Sequence, residues 1–93
     1  MKKENHLLND WTVYLLECKD GSFYTGITID LDQRIAKHNA GMGAKYTRGR
    51  SPVKLLEHMQ VNGQSTALQI EAKIKKLPKS KKRAFFKETT KPN

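Results

Sequence analysis

A chain of 93 residues makes one domain with room for only a modest core. Its 18 Lys and Arg stand against 9 Asp and Glu, a formal charge of +9 that points to a polyanion such as nucleic acid or an anionic membrane surface. No apolar run approaches the length of a membrane span, no signal-peptide core follows Met1, and the single Cys18 excludes an internal disulfide or a multi-cysteine zinc site, so a soluble cytoplasmic protein with no membrane partner is expected.

Residues 1–10 are polar and read as a flexible N-terminus. The apolar run Trp11 to Cys18 predicts a strand, with Cys18 as a small buried member. Lys19-Asp20-Gly21-Ser22 is a turn signal, and the β-rich run Phe23 to Ile29 completes a hairpin. Asp30 is placed to cap a helix, with Gln33 three residues on as in a capping box; that helix runs to about Asn39 and stops at Gly41. A loop over 40–52 carries Gly41, Gly43, Gly49 and Pro52. Val53 to Val61 predicts a third strand. After the Asn62-Gly63 turn, Ser65 or Thr66 is expected to cap a helix ended by Pro78, and Ser80 a last helix to about Glu88 with Phe85 and Phe86 packing back. Residues 89–93 read as a flexible tail. The element order is β-β-α-β-α-α. The second and third strands are joined through a helix, and the continuous apolar stretch Val13 to Leu16 suits a central strand. The fold class is therefore α/β in the α+β sense: a three-stranded antiparallel sheet in the order 2-1-3, flanked by helices.

Several residues stand out chemically. Ala67, Ile70, Ile74 and Leu77 form an apolar helical stripe, and the carboxylate of Glu71 falls inside it. A buried-face carboxylate requires a metal ion, an Arg or a solvent cleft to meet it. Arg34 and His38, four apart on the first helix, share a face. A guanidinium can grip a phosphate with two hydrogen bonds and an imidazole can move a proton near neutral pH; alone, the pair reads first as a solvated basic face with His38 partly packed. Tyr14 and Tyr24 sit on the two hairpin strands, where tyrosines are ordinary strand formers.

Taken together, Thr12-Val13-Tyr14, Tyr24-Thr25-Gly26, Arg34 with His38, and Glu71 resemble the GIY-YIG nuclease family, and the helix Asp30 to Asn39 resembles its first helix. The chain is most similar to the small standalone bacterial members, with the likeness running from Trp11 to Pro78 inside one domain over 11–88. Gly43-Ala44-Lys45-Tyr46-Thr47 is also similar to the family branch that cuts branched DNA. The resemblance implies a divalent-metal-dependent endonuclease hydrolysing phosphodiester bonds in DNA, in repair or recombination. Glu71 would hold a single Mg²⁺ or Mn²⁺, Tyr14 would activate or orient the attacking water, and Arg34 would stabilise charge on the scissile phosphate. Tyr24 and His38 would complete the proton network. A lone carboxylate suits Mg²⁺, which keeps several waters. Two departures are visible: the Asn that many members carry after the metal-binding Glu has no counterpart, and no DNA-targeting domain is attached. A degenerate site in a nucleic-acid-binding module is the alternative.

The reading has a geometric consequence. A two-residue hairpin loop at Asp20-Gly21 would put Tyr14 and Tyr24 on opposite faces, whereas a three-residue loop, Asp20 to Ser22, would pair Cys18 with Tyr24 and put both on one face. The nuclease reading predicts the odd-length loop. Lys45, Arg48 and Arg50 in the glycine-rich loop, and Lys73 and Lys76 in the basic stretch that follows Glu71, are expected to contact backbone phosphates. Tyr46 is placed either to stack on an unpaired base or to pack within the loop. The partner class is DNA, branched forms included; RNA and an accessory subunit stay open.

Overall fold

Every side chain from Thr12 to Leu16 is buried, which requires a strand covered on both faces. That strand, β1 (Trp11–Glu17), is the centre of a sheet ordered β2-β1-β3, antiparallel throughout, with β2 at Phe23–Thr28 and β3 at Lys54–Val61. The helices are α1 (Leu31–Asn39), α2 (Gln64–Lys75) and α3 (Lys79–Thr89), and a single 3-10 turn, Lys45–Thr47, interrupts the long loop. The order β-β-α-β-α-α and the α+β sheet topology are those expected. The computed structural model describes residues 10–89; of the segments expected to be flexible, 1–10 and 89–93, residues 1–9 and 90–93 lie outside the described residues. Asp10 is tied down, its Oδ1 accepting the Gly63 N–H at 2.9 Å. No helix among the described residues is long and apolar enough to cross a membrane.

The hairpin loop has three residues, but it is Lys19 to Gly21. Cys18 N–H donates to Ser22 O at 2.8 Å and Gly21 N–H donates to Cys18 O at 2.9 Å, with Gly21 at φ +87° closing the turn. Tyr24 consequently opposes Leu16, not Cys18 as the loop over Asp20–Ser22 required. The Asp20 carboxylate accounts for the shift: its Oδ1 accepts from both Ser22 N–H (3.0 Å) and Ser22 Oγ–H (2.6 Å), fixing Ser22 just outside the loop where its carbonyl takes the Cys18 N–H. A slip of two residues preserves the alternation, so Tyr14 and Tyr24 do share a face.

Asp30 caps α1 as expected, accepting from Gln33 N–H at 3.1 Å. The helix ends in a Schellman motif: Gly41 N–H reaches His38 O at 3.1 Å and Met42 N–H reaches Lys37 O at 2.9 Å, with Gly41 at φ +79°. Two other expected caps are corrected. The N-cap of α2 is Gly63, with no side-chain cap bond, and Ser65 and Thr66 lie within the first turn. The Asn62-Gly63 turn feeds straight into the helix, Ala67 N–H donating to Gly63 O. Likewise Lys81 N–H bonds to Pro78 O, so the chain turns into α3 at Pro78 and Ser80 is its second residue.

The sheet has two apolar faces. Val13, Leu15, Met59 and Val61 pack with Ala67 and Ile74 of α2 and Phe86 of α3. Tyr14, Leu16, Cys18 and Val53 pack on the other face with Leu31 and Ile35 of α1. A bulge in β3 opposite Leu15 and Leu16 serves both: Leu55 joins the α1 side, while Leu56 joins the other core and Glu57 pairs with Arg83 of α3 at 3.0 Å. Phe86 is 1 % exposed and anchors α3 to this core. Truncating it in Phe86→Ala should lower the unfolding free energy by about 3–5 kcal/mol. Urea denaturation followed by circular dichroism reads this, and a loss below about 1 kcal/mol would make α3 a peripheral appendage.

Candidate active site

The α1 face of the sheet carries a buried chain of polar side chains. Tyr14, completely buried, lies 2.9 Å from His38 Nε2, and His38 Nδ1 lies 2.8 Å from Thr47 Oγ1. Thr47 spends its only proton on Ala44 O at 2.9 Å. It therefore accepts from His38 Nδ1–H, which leaves Nε2 bare to accept the proton of Tyr14. The ring of Tyr24 stands beside both, 6.3 Å from Tyr14 and 5.3 Å from His38 between centroids. Two glycines make room for the chain. A Cβ on Gly26 would fall 2.5 Å from the Tyr14 hydroxyl oxygen, and one on Gly43 would collide with the His38 ring and its Cα.

Burial keeps these groups neutral. It pushes the Tyr14 phenol up to about 12, with the facing Arg34 guanidinium pulling the other way by less. Tyr24 is also raised, chiefly by burial. His38 is held below its ordinary value, first by burial and then by the Arg34 charge. Arg34, one turn before His38, has its Nε buried without a hydrogen-bond partner, an orphaned donor of the kind an anion satisfies.

Glu71 lies on α2, which packs on β1 and β2, and its charge is felt at both phenols. Its side chain is 16 % exposed and ion-paired with Lys75 Nζ at 3.4 Å. The described residues hold no group of three His, Cys, Asp or Glu side chains. One hard carboxylate beside a cationic anion-binding group fits a cation that takes oxygen ligands and keeps water, and does not fit a zinc-type cage. Tyr14, Tyr24, Arg34 and His38 are thus brought together, and the charge of Glu71 is felt there from α2.

The basic groups are more dispersed. Lys45, Arg48, Lys73 and Lys76 are exposed and make none of the ion pairs found among the described residues. Arg50 is engaged: Nε bonds Asp20 Oδ2 at 3.0 Å, Nη1 bonds Tyr46 O at 2.6 Å, and the guanidinium lies 4.1 Å over the Tyr46 ring. Tyr46 packs in the loop against Arg50 and stacks on Tyr24 at 6.1 Å, yet remains 40 % exposed. The sequence gives no role to Thr47 or to the space at Gly26 and Gly43, and it marks Lys75 only as one of the cations of the basic stretch. A threonine nine residues past a helical histidine carries no periodic signal, and only the folded loop brings it back.

Two measurements check this geometry. Gly26→Ala should displace the Tyr14 ring and cost about 1–3 kcal/mol of stability, read by urea unfolding; an unchanged midpoint would mean the ring is not seated on that backbone. His38 binds its proton less readily folded than unfolded, so the stability it contributes is complete above about pH 6.5 and is lost as pH falls through its lowered folded value. The unfolding midpoint should fall more steeply between about pH 7.5 and 5 in wild type than in His38→Gln. Equal slopes would show that the ring is not buried neutral.

The GIY-YIG catalytic domain matches residues 10–84. A UPF0213 protein of Halobacterium salinarum is 50 % identical over 74 residues, covering 80 % of this chain and 96 % of that one. Another, from Halalkalibacterium halodurans, is 51 % identical over 70 residues, covering 75 % and 74 %. Among solved structures, the solution NMR structure of a UPF0213 protein from Bacillus halodurans has TM-score 0.53 at 45 % identity, covering 88 % of this chain and 87 % of that one. The solution NMR structure of a protein from E. faecalis has TM-score 0.61 at 37 % identity, covering 88 % of each. The sheet that seats both tyrosines on one face, and the match that spans it, show that this chain belongs to the GIY-YIG catalytic domain family of nuclease-type proteins.

Proposed function

We propose that this protein is a divalent-metal-dependent endonuclease that hydrolyses phosphodiester bonds in DNA. The observation that carries the reading is the Tyr14–His38–Thr47 hydrogen-bond chain beside an Arg34 whose Nε has no partner. A phenol held near 12 is a poor base by itself at neutral pH. Coupled to a bare imidazole nitrogen, it need never become a free phenolate. The attacking water passes a proton to the Tyr14 oxygen as Tyr14 passes its own to His38 Nε2, and Thr47 keeps the resulting imidazolium oriented. Arg34 opposes that imidazolium in the free protein. A phosphate bound to Arg34 offsets its charge, so substrate binding itself makes His38 a better proton acceptor.

Arg34 also faces the charge that grows on the phosphate in the transition state, and Tyr24 offers a hydroxyl to the same region. Glu71 would hold Mg²⁺ or Mn²⁺ at a single site, in keeping with the general dependence of this nuclease family on divalent metals. When bound, the ion would polarise the phosphate and neutralise the leaving oxygen. The exposed Lys45, Arg48, Lys73 and Lys76 contribute phosphate contacts, which carry no base information. Selection is therefore by structure, branched DNA included, and suits repair or recombination.

Linear, single-stranded and branched DNA should be cut in Mg²⁺ or Mn²⁺ by the wild type, and RNA tested alongside gives the substrate class. Glu71→Gln, Tyr14→Phe and Arg34→Ala should each slow cleavage about 100-fold or more, with folding intact by circular dichroism. Equal traces of cleavage in all four preparations would mean contamination and a nucleic-acid-binding module without turnover.

A further inference from the structure

Beside the active site runs a groove of about 350 Å³ lined by Phe23, Tyr24, Thr25, Tyr46, Lys75 and Lys82. Tyr24 belongs to both, so groove and active site are continuous. The two lysines are held differently. Lys82 Nζ is fixed by a 2.7 Å bond to Ile74 O near the end of α2. Lys75 is 53 % exposed, and its ion pair is with Glu71, the carboxylate assigned to the metal ion. At 3.4 Å that pair is longer than a good charge-assisted hydrogen bond. As an i,i+4 helix pair with a half-exposed lysine it biases an equilibrium only about twofold. The two ammonium groups also feel one another: Lys82 is held below its ordinary value first by burial and then by the charge of Lys75. Two cations in one groove, one fixed and one on a weak tether, form a site for an anion.

We propose that this groove is a second phosphodiester subsite, in which Lys75 leaves Glu71 for a backbone phosphate of the bound nucleic-acid strand and so frees the carboxylate for the cation. The phosphate is the one next to the scissile position, because Tyr24 divides the groove from the reacting region. Before the strand arrives, Lys75 neutralises Glu71 and repels a divalent ion. After it arrives, Lys75 and Lys82 share the phosphate and Glu71 presents its full charge. Strand and metal thus tighten each other's binding by a common factor, as linkage demands.

This rests on the nuclease reading, and the experiment separates the two. Calorimetric titrations with MnCl₂ and with a short single-stranded DNA oligonucleotide are run in a Tyr14→Phe background, so that the strand stays intact. Lys75→Met should tighten Mn²⁺ binding to the free protein by about two- to fivefold. It should weaken the oligonucleotide, and shrink the factor by which each ligand tightens the other. Lys75→Arg should return all three toward the starting values. Lys73→Met, which removes a neighbouring exposed charge, should weaken the oligonucleotide and leave Mn²⁺ alone. Unchanged Mn²⁺ affinity in Lys75→Met, or tighter Mn²⁺ with an undiminished coupling factor, overturns the inference while Glu71→Gln still abolishes Mn²⁺ binding. Mn²⁺ binding that survives Glu71→Gln overturns the metal assignment along with it.

Discussion

The hydroxyl of Tyr14 is shielded from bulk solvent in the free protein. It is wholly buried, and an unpaired buried hydroxyl costs about 1–3 kcal/mol. Its partner is His38 Nε2, so α1 must sit where its last turn reaches the central strand. That bond is sound only if the other ring nitrogen carries the proton, which in turn requires an acceptor on the far side. Thr47 is that acceptor, oriented by Ala44 O. One buried phenol thereby fixes β1, α1 and the 3-10 turn relative to one another. The segment over 40–52 is accordingly the outer wall of the site, with Asn39 Oδ1 accepting the Val53 N–H at 2.6 Å to tie its far end to the helix.

The steric condition for this arrangement is written at Gly26 and Gly43. A strand residue with any side chain at 26 would meet the Tyr14 ring, and one at 43 would meet the imidazole. Within the motif, Gly26 therefore supplies space, since it sits at an ordinary strand position opposite Tyr14. The two tyrosines share a face because the hairpin loop has an odd number of residues, and that is a property of Asp20 and Gly21, far from any reacting atom.

Much of the fold was legible because its signals are local. The continuous apolar run of β1 declared a doubly covered strand, Asp30 with Gln33 declared a helix start, and Gly41 its end. The parity of the hairpin followed from loop length, although the loop itself sits one residue earlier, where Asp20 fixes Ser22 just outside it. The failures share a cause. The start of α2 was misjudged because Gly63 is held by Asp10 from across the molecule, and a long-range bond overrode the preference of Ser65 and Thr66 for a cap. Thr47 escaped for the same reason: its meaning lies in a partner, His38, that only the tertiary fold supplies. Arg50, expected to contact phosphate, also bonds through its Nε to Asp20, thirty residues away in the chain, a partner with no local signal.

Seen electrostatically, the site is a quiet place in a strongly basic protein. The phenols are pushed up and the imidazole down, so the proton-carrying groups rest uncharged. The charges that remain, Arg34 and Glu71, are the two with incomplete partners: an Nε without an acceptor and a carboxylate with one loose lysine. A fold optimised only for stability would satisfy that donor, since leaving it orphaned costs about 1–3 kcal/mol. The two apolar cores on either side of the sheet carry the cost. A bound phosphate would satisfy Arg34 and lift the opposition to a charged His38 in one step. In the proposed reaction, then, the residue that binds the substrate also sets when its base can accept a proton. With no anion bound, His38 is kept neutral with a bare nitrogen, and the bound phosphate then eases the charge that nitrogen must take on.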